Sequence, residues 1–247
     1  MSDTVFVGGA YWDKAANGEV TQGLFRVNRD AGKLEPVTDG LPDDLEVRHI
    51  ILRNPDTVYV GAQDGIYRSY DGGKTWTHHI LPGTEKRVWS ILPTGEKTLF
   101  VGTEGTSVYK SDDDGETFRE LNMPRPEGFV DMGFPNRVIR MAADPANQDE
   151  IYVGLEVSGI VRSLDGGETW TDCSAGLIEL ADKHDRLKSK IGSDMHTEGM
   201  MDLHSVTISP THPGTVILAN RLGLFISHDK GDHWEEMGIG RFSDLTY

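Results

Sequence analysis

The sequence predicts an all-β fold in which one four-stranded antiparallel unit occurs five times. Three observations support this: an eight-residue turn that recurs along the chain, short apolar segments at matching distances from each turn, and an excess of glycine. Glycine accounts for 29 of 247 residues, about 12% against the usual ~7%. Units that cannot bury both faces alone stack radially as blades, so the repeat predicts a β-propeller.

The recurrent turn has the pattern Ser-x-Asp-x-Gly-x-Thr-Trp. Its four clear copies begin at Ser69, Ser111, Ser163 and Ser227, and a weaker copy begins at Asn28. Phe118 replaces Trp in the second clear copy, and His233 replaces Thr in the fourth. In such a turn Asp accepts backbone hydrogen bonds, Gly supplies a positive φ, and the aromatic residue buries apolar surface. The copies are therefore predicted to be structural hairpin turns.

Each clear copy lies between two short strands, and two further strands precede them. The first pair in the second repeat runs over residues 47–52 and 56–61, and the first pair in the third runs over 88–92 and 98–102. The later repeats show the same pairs at 138–142 with 150–154 and at 203–208 with 215–219. Four short strands per repeat are thus expected.

These residues resemble the Asp-box (BNR) repeat family, because the copies at Ser69 and Ser163 match its pattern at every defined position. The resemblance spans nearly the whole chain and implies a propeller. It implies little about chemistry, since that family includes sialidases, other glycoside hydrolases, photosystem assembly factors and sorting receptors. The Arg-Ile-Pro segment that marks sialidases is missing from the sequence, so no catalytic residue is transferred.

The two ends of the sequence bear on how the ring closes. Residues 4–8 match the second strand of a blade, and residues 241–247 could supply the missing innermost strand. The sequence is thus expected to form a single propeller domain over 1–247, either closed with five blades or incomplete at its C-terminus as part of a larger propeller.

The charge balance narrows the classes of partner. The chain has 24 Lys and Arg against 40 Asp and Glu, a net charge of −16, and no long basic run. Neither nucleic acid nor an anionic membrane surface is expected as a partner. The N-terminal residues lack the pattern of a signal peptide, so a cytoplasmic protein is expected.

One face of the predicted propeller carries recurrent charged side chains where the inner strands start and the second strands end. An arginine cluster there suits a carboxylate, a phosphate or a sugar acid, although the glutamates could instead neutralise it. The candidate ligand-binding residues are Arg48, His49, Arg87, Trp89, Glu104, Arg137, Arg140, Glu156 and Arg221.

Two insertions enter this same face. Residues 120–136 contain three Pro and two Gly and are expected to form a loop. Near 176–191, apolar residues recur every three or four positions and Gly192 follows, which predicts one amphipathic helix. That helix could be a lid over the channel or a cover that only packs.

The segment after the predicted helix holds the densest set of catalytic and metal-binding residue types. His204, Asp202 and Glu198 are candidate acid–base residues. His49, His196 and His204 could form a divalent metal site, although the segment has no specific metal-binding motif. Otherwise no cofactor is expected.

Three functions are compatible with these features. The first is binding of a small anionic or sugar-like ligand, such as a carbohydrate, with glycosidase-like hydrolysis. The second is a non-catalytic module that binds a protein partner, and the third is a metal-dependent hydrolase or lyase. The first is slightly favoured, because both insertions converge on the mouth, where exclusion of water would help chemistry.

Overall fold

A computed structural model describes residues 4–9, 22–83 and 86–238. The described chain forms five consecutive antiparallel sheets, here numbered blades 1 to 5. Blade 1 comprises β1 (Phe6–Gly9), β2 (Gly23–Asn28) and β3 (Lys33–Pro36). Blade 2 comprises β4 (His49–Leu52), β5 (Val58–Ala62), β6 (Gly65–Ser69) and β7 (Thr77–His79).

The other three blades repeat the same four-stranded order. Blade 3 comprises β8 (Val88–Thr94), β9 (Thr98–Thr103), β10 (Val108–Ser111) and β11 (Arg119–Glu120). Blade 4 comprises β12 (Val138–Ala143), β13 (Ile151–Leu155), β14 (Gly159–Ser163) and β15 (Thr171–Asp172). Blade 5 comprises β16 (Leu203–Ile208), β17 (Val216–Asn220), β18 (Gly223–Ser227) and β19 (Glu235–Glu236). The all-β propeller prediction is confirmed.

Neighbouring blades pack through the inner strand of one and the first two strands of the other. Glycine in the second strand makes this close approach possible. A Cβ atom on Gly61 would lie 2.6 Å from Cγ1 of Val88 in the next blade, and Gly102 and Gly154 face Val138 and Leu203 in the same way. Gly8 faces Val47 likewise, so β1 takes the place of a second strand, as expected.

The predicted turn has the same hydrogen bonds in all four clear copies. In blade 2, the hydroxyl of Ser69 donates to Asp71 at 2.8 Å and accepts from the N–H of Gly73 at 2.8 Å. The N–H and hydroxyl of Thr75 donate to the two carboxylate oxygens of Asp71 at 2.9 and 2.7 Å. In blade 5, His233 replaces Thr and its Nδ1 lies 2.6 Å from Asp229. The turns are therefore structural and lie on the face opposite the starts of the inner strands.

The insertion between blades 4 and 5 differs from the single helix predicted near 176–191. The helix α1 (Ala175–Lys183) is followed by a 3₁₀ turn (Asp185–Leu187) and by the short helix α2 (Glu198–Met201). His184 is extended, with φ −132° and ψ 107°, which lets Leu187 turn into the core, where it is 2% exposed. The prediction was right about a helix and wrong about its end.

The helix α1 packs as part of the core. Leu177 and Ala181 are fully buried beside Leu203 and Trp234 of blade 5. Gly176 allows the contact, because a Cβ atom there would lie 3.0 Å from Trp234. The structure thus favours the packing cover over the lid. Residues 121–136 form a loop without helix, as expected. The strand predicted at 241–247 falls outside the described residues.

Candidate functional site

The mouth of the channel is defined here as the face where the inner strands start and the second strands end. Each of blades 2 to 5 has two residues at the mouth, one before its inner strand and one after its second strand. In blades 3 and 4 these are Arg87 with Glu104, 3.5 Å apart, and Arg137 with Glu156, 2.8 Å apart. Four of the five candidate arginines thus meet a carboxylate, because Arg48 also lies 2.6 Å from Glu46 and Arg221 lies 3.2 Å from Asp202.

Blade 5 carries the same pair with its charges exchanged. Asp202 precedes the inner strand and Arg221 follows the second strand, with 3.2 Å between Nη1 and Oδ2. The backbone contact is unchanged, since the N–H of Arg221 donates to the carbonyl of Asp202 as that of Glu156 donates to Arg137. The exchange places a carboxylate that is only 8% exposed at this mouth position.

β-bulges occur at equivalent positions of the inner strands in blades 3, 4 and 5. The pairing register shifts between Val88 and Ser90, between Val138 and Arg140, and between Leu203 and Ser205. The inserted residues are Trp89, Ile139 and His204. Bulges are over-represented next to functional sites because they redirect side chains, and here the redirected residues include two of the sequence candidates.

Trp89 lies under two guanidinium groups. The Cζ atoms of Arg48 and Arg137 lie 4.9 and 4.4 Å from its ring. The Nε1 atom of Trp89 is buried and has no hydrogen-bond partner in the part of the chain that the structure describes. Phe134, from the insertion between blades 3 and 4, lies 5.5 Å from Arg137 and is 42% exposed. The mouth therefore has an exposed aromatic ring beside a covered one.

His49 connects three inner strands. Its Nδ1 accepts a hydrogen bond from the N–H of Ile91 in blade 3 at 3.0 Å, and its Nε2 lies 2.6 Å from Nη1 of Arg140 in blade 4. Burial, and then the charge of Arg140, lowers the pKa of His49 to about 4. The ring is therefore neutral at neutral pH.

Glu156 and Asp202 form a pair of carboxyl groups between blades 4 and 5. One oxygen of Glu156 accepts from Arg137 at 2.8 Å, while Oε2 is buried and no described residue bonds to it. Burial raises the pKa of Glu156; Arg137 opposes this rise and the charge of Asp202 adds to it. His204 lies 3.7 Å from Asp202. Two carboxyl groups with different surroundings are the usual basis of acid–base assignments.

A comparison with known protein families identifies one with this fold. The family model described as DUF6242 beta propeller domain matches residues 1–159. The chain belongs to the DUF6242 beta propeller family.

Curated relatives of this DUF6242 propeller are xyloglucanases. It is 25% identical over 138 residues to the oligoxyloglucan-reducing end-specific xyloglucanase of Emericella nidulans, covering 55% of this chain and 15% of that protein. It is 28% identical over 153 residues to xyloglucanase Xgh74A of Acetivibrio thermocellus, covering 47% and 18%. The chain thus spans less than a fifth of the length of these relatives.

Solved structures support the fold of the DUF6242 propeller. The GH74 xyloglucanase of Xanthomonas campestris aligns with a TM-score of 0.61 at 15% identity, over 86% of this chain and 35% of that one. YCF48 of Cyanidioschyzon merolae aligns with a TM-score of 0.54 at 16% identity, over 79% and 57%. At such identities the likeness concerns the fold alone.

The structure separates the candidate metal ligands of this DUF6242 propeller. His196 bonds to Asp182 at 2.7 Å, His49 contacts Arg140, and His204 lies beside Asp202. Within residues 4–9, 22–83 and 86–238, no group of three His, Cys, Asp or Glu side chains could hold a metal ion. The metal site proposed from spacing along the sequence therefore has no geometric support there.

Glu198 has a structural contact set and does not share the surroundings of the other two acid–base candidates. Its buried carboxylate accepts hydrogen bonds from the backbone N–H groups of Ile191, Gly192 and Ser193. Burial raises its pKa, but the bonds from residue 193 and its neighbours outweigh this and lower it. Glu198 thus holds the turn that follows the 3₁₀ segment.

Sequence reasoning missed two residues at this mouth. Phe134 lies in an insertion without periodicity, and Ser90 is fully buried opposite Gly102. The signal for Ser90 was available, because His49 and Arg140 face Gly61 and Gly154 in the same register. No described helix is long and apolar enough to cross a membrane.

Proposed function

We propose that the mouth binds a saccharide and that Glu156 and Asp202 hydrolyse a glycosidic bond there. The observation that carries the proposal is the state of Glu156: one oxygen is paired with Arg137, the other is buried without a partner among the described residues, and the pKa is raised. A carboxyl group that keeps its proton can act as a general acid on the leaving oxygen.

Asp202 supplies the complementary group. It is buried, and Arg221 at 3.2 Å and His204 at 3.7 Å surround its Oδ2 with donors. A carboxylate held in this way can act on water or on the sugar carbon, as the second carboxylate of a glycosidase does.

The surroundings suit a sugar ring. Exposed aromatic rings offer a flat apolar surface, and Phe134 lies beside Arg137, which itself bonds to Glu156. Polar groups that converge around a few apolar surfaces are typical of small-molecule sites. The curated relatives, which are xyloglucanases, support the choice of saccharides as the substrate class.

The experiment is to incubate the protein with a panel of soluble plant and bacterial polysaccharides, including xyloglucan, and to measure the release of reducing ends. We expect Glu156→Gln and Asp202→Asn to lower kcat by roughly 10²–10⁴-fold, the range for loss of an acid or base. The matched control is Glu104→Gln, the same change at the equivalent position of blade 3.

Two further readouts separate catalysis from structure. Circular dichroism should show the same unfolding temperature for Glu156→Gln and Glu104→Gln to within a few degrees. The pH profile of the native protein should fall on the alkaline side, because Glu156 must be protonated to donate. Equal loss of activity in Glu156→Gln and in its control Glu104→Gln, or no hydrolysis of any saccharide, would refute the proposal.

A further inference from the structure

The contact between His49 and Arg140 brings together more hydrogen-bond donors than acceptors. The N–H of Ile91 and a guanidinium N–H of Arg140 both point to ring nitrogens of His49, at 3.0 and 2.6 Å. A neutral imidazole has one N–H and one acceptor nitrogen, and arginine has no acceptor at all. Whichever tautomer is present, two N–H groups therefore face each other at one of the two ring nitrogens.

The Ile91 contact decides which nitrogen that is. Ile91 lies on an inner strand, at the edge of its sheet, where its N–H needs an acceptor other than a neighbouring strand. Nδ1 of His49 provides that acceptor, so Nε2 carries the ring proton. Nε2–H of His49 and Nη1–H of Arg140 are then two adjacent donors, 2.6 Å between nitrogens.

Neighbouring donors are also without acceptors among the residues that the structure describes. Within that set, Nε1 of Trp89, Nε of Arg48 and Oγ of Ser90 are buried and lack a hydrogen-bond partner. Arg48 precedes His49, and Ser90 holds the register position in blade 3 that His49 holds in blade 2 and Arg140 in blade 4. Buried polar groups are nearly always paired, so such a concentration calls for a bound acceptor.

The distribution of charge at the mouth also favours a bound acceptor. The arginines at the rim are matched by Glu46, Glu104, Glu156 and Asp202. Arg140, in contrast, contacts neutral His49. A guanidinium beside an imidazole N–H is a donor pair that suits two oxygens of one anion.

We propose that His49 and Arg140 bind the carboxylate of an acidic saccharide, a uronic acid unit, in the channel. The inference rests on the proposed function, since the saccharide is assigned there, and it adds that the sugar is anionic. One carboxylate oxygen accepts from Nε2 of His49 and the other from Arg140, whose guanidinium turns aside from the ring to make room, while Ile91 keeps its bond to Nδ1.

The test compares three hexose probes on the ¹⁵N-labelled protein: glucuronate, glucose and glucose 6-phosphate. Glucuronate is expected to shift the ring ¹⁵N resonance of Nε2 of His49 and to bind at least tenfold more tightly than glucose by calorimetry. Arg140→Met should bring the glucuronate-to-glucose affinity ratio close to one. The control, Arg119→Met, removes one positive charge from strand β11 and should keep the ratio.

The outcomes separate this inference from the proposed function. No shift at His49 with glucuronate, or equal affinity for glucuronate and glucose, overturns the carboxylate site even if hydrolysis is observed. A higher affinity for glucose 6-phosphate than for glucuronate overturns the choice of a carboxylate. A shift at His49 with the tenfold preference, but no hydrolysis of any polysaccharide, leaves the anion site standing and removes the catalytic assignment.

Discussion

The repeat is uniform on one face of the propeller and variable on the other. On the turn face, Asp71, Asp113, Asp165 and Asp229 make the same bonds to the serine two residues before them. On the mouth face, the equivalent pairs are Glu46 with Gln63, Arg87 with Glu104, Arg137 with Glu156, and Asp202 with Arg221. Sameness marks the positions that hold each blade together, and variety marks those that can recognise a ligand.

The largest expected effect in stability lies beneath a turn. Trp234 is 4% exposed, packs in the core of blades 4 and 5, and donates to the carbonyl of Cys173 at 3.0 Å. Trp234→Ala should lower the free energy of unfolding by about 3–5 kcal/mol through the cavity that it leaves. Denaturant unfolding measures this, with Leu164→Ala, an exposed residue of another turn, as the control. Equal effects would mean that the turn aromatics do not carry the core.

The next effect concerns the contact between blades. Gly61→Ala places a methyl group 2.6 Å from Cγ1 of Val88, and overpacking of this kind costs about 1–3 kcal/mol. Denaturant unfolding of Gly61→Ala, Val88→Ala and the double variant completes a cycle. We expect the double variant to be more stable than the sum of the single effects predicts. Simple additivity would contradict a clash between these two residues.

The turn face should also respond to acid. Hydrogen bonds from the Thr117 hydroxyl and N–H lower the pKa of Asp113 to about 2, and Thr169 does the same for Asp165. An unfolded Asp titrates near ~3.9. Below that pH the unfolded chain binds protons that the folded turns do not, so stability should be full above pH ~4 and fall towards pH ~2. Thermal unfolding across this range, with Asp165→Asn for comparison, should show a shallower slope for the variant.

The smallest effect is expected at the rim. Arg87 is 47% exposed and lies 3.5 Å from Glu104, and exposed ion pairs contribute about 0–1 kcal/mol. Arg87→Met should therefore leave the unfolding temperature nearly unchanged. A loss as large as that of Gly61→Ala would show that the mouth pairs are structural, and the contrast between the two faces would disappear.

The regular parts of the molecule were predictable from the sequence because their causes are local. Ser, Asp, Gly and Thr within one turn bond mainly to each other, so their spacing announces the hairpin. The helix after Ser174 was also recognisable, but its end at Lys183 was not, because Leu187 leaves the helical path to reach the core. Glu198 was assigned to chemistry from its residue type, whereas the structure gives it three backbone donors.

The sequence by itself determined the blades, the turns and the face on which charged residues gather. It could do so because a period-two strand and an eight-residue hydrogen-bonded turn are encoded within a few positions. Only the tertiary structure decided which charges meet: Arg137 with Glu156, Asp202 with Arg221, and His49 with Arg140 from two blades away. Bulges in three inner strands redirect the side chains, and pairing across blades depends on distances that residue order does not contain.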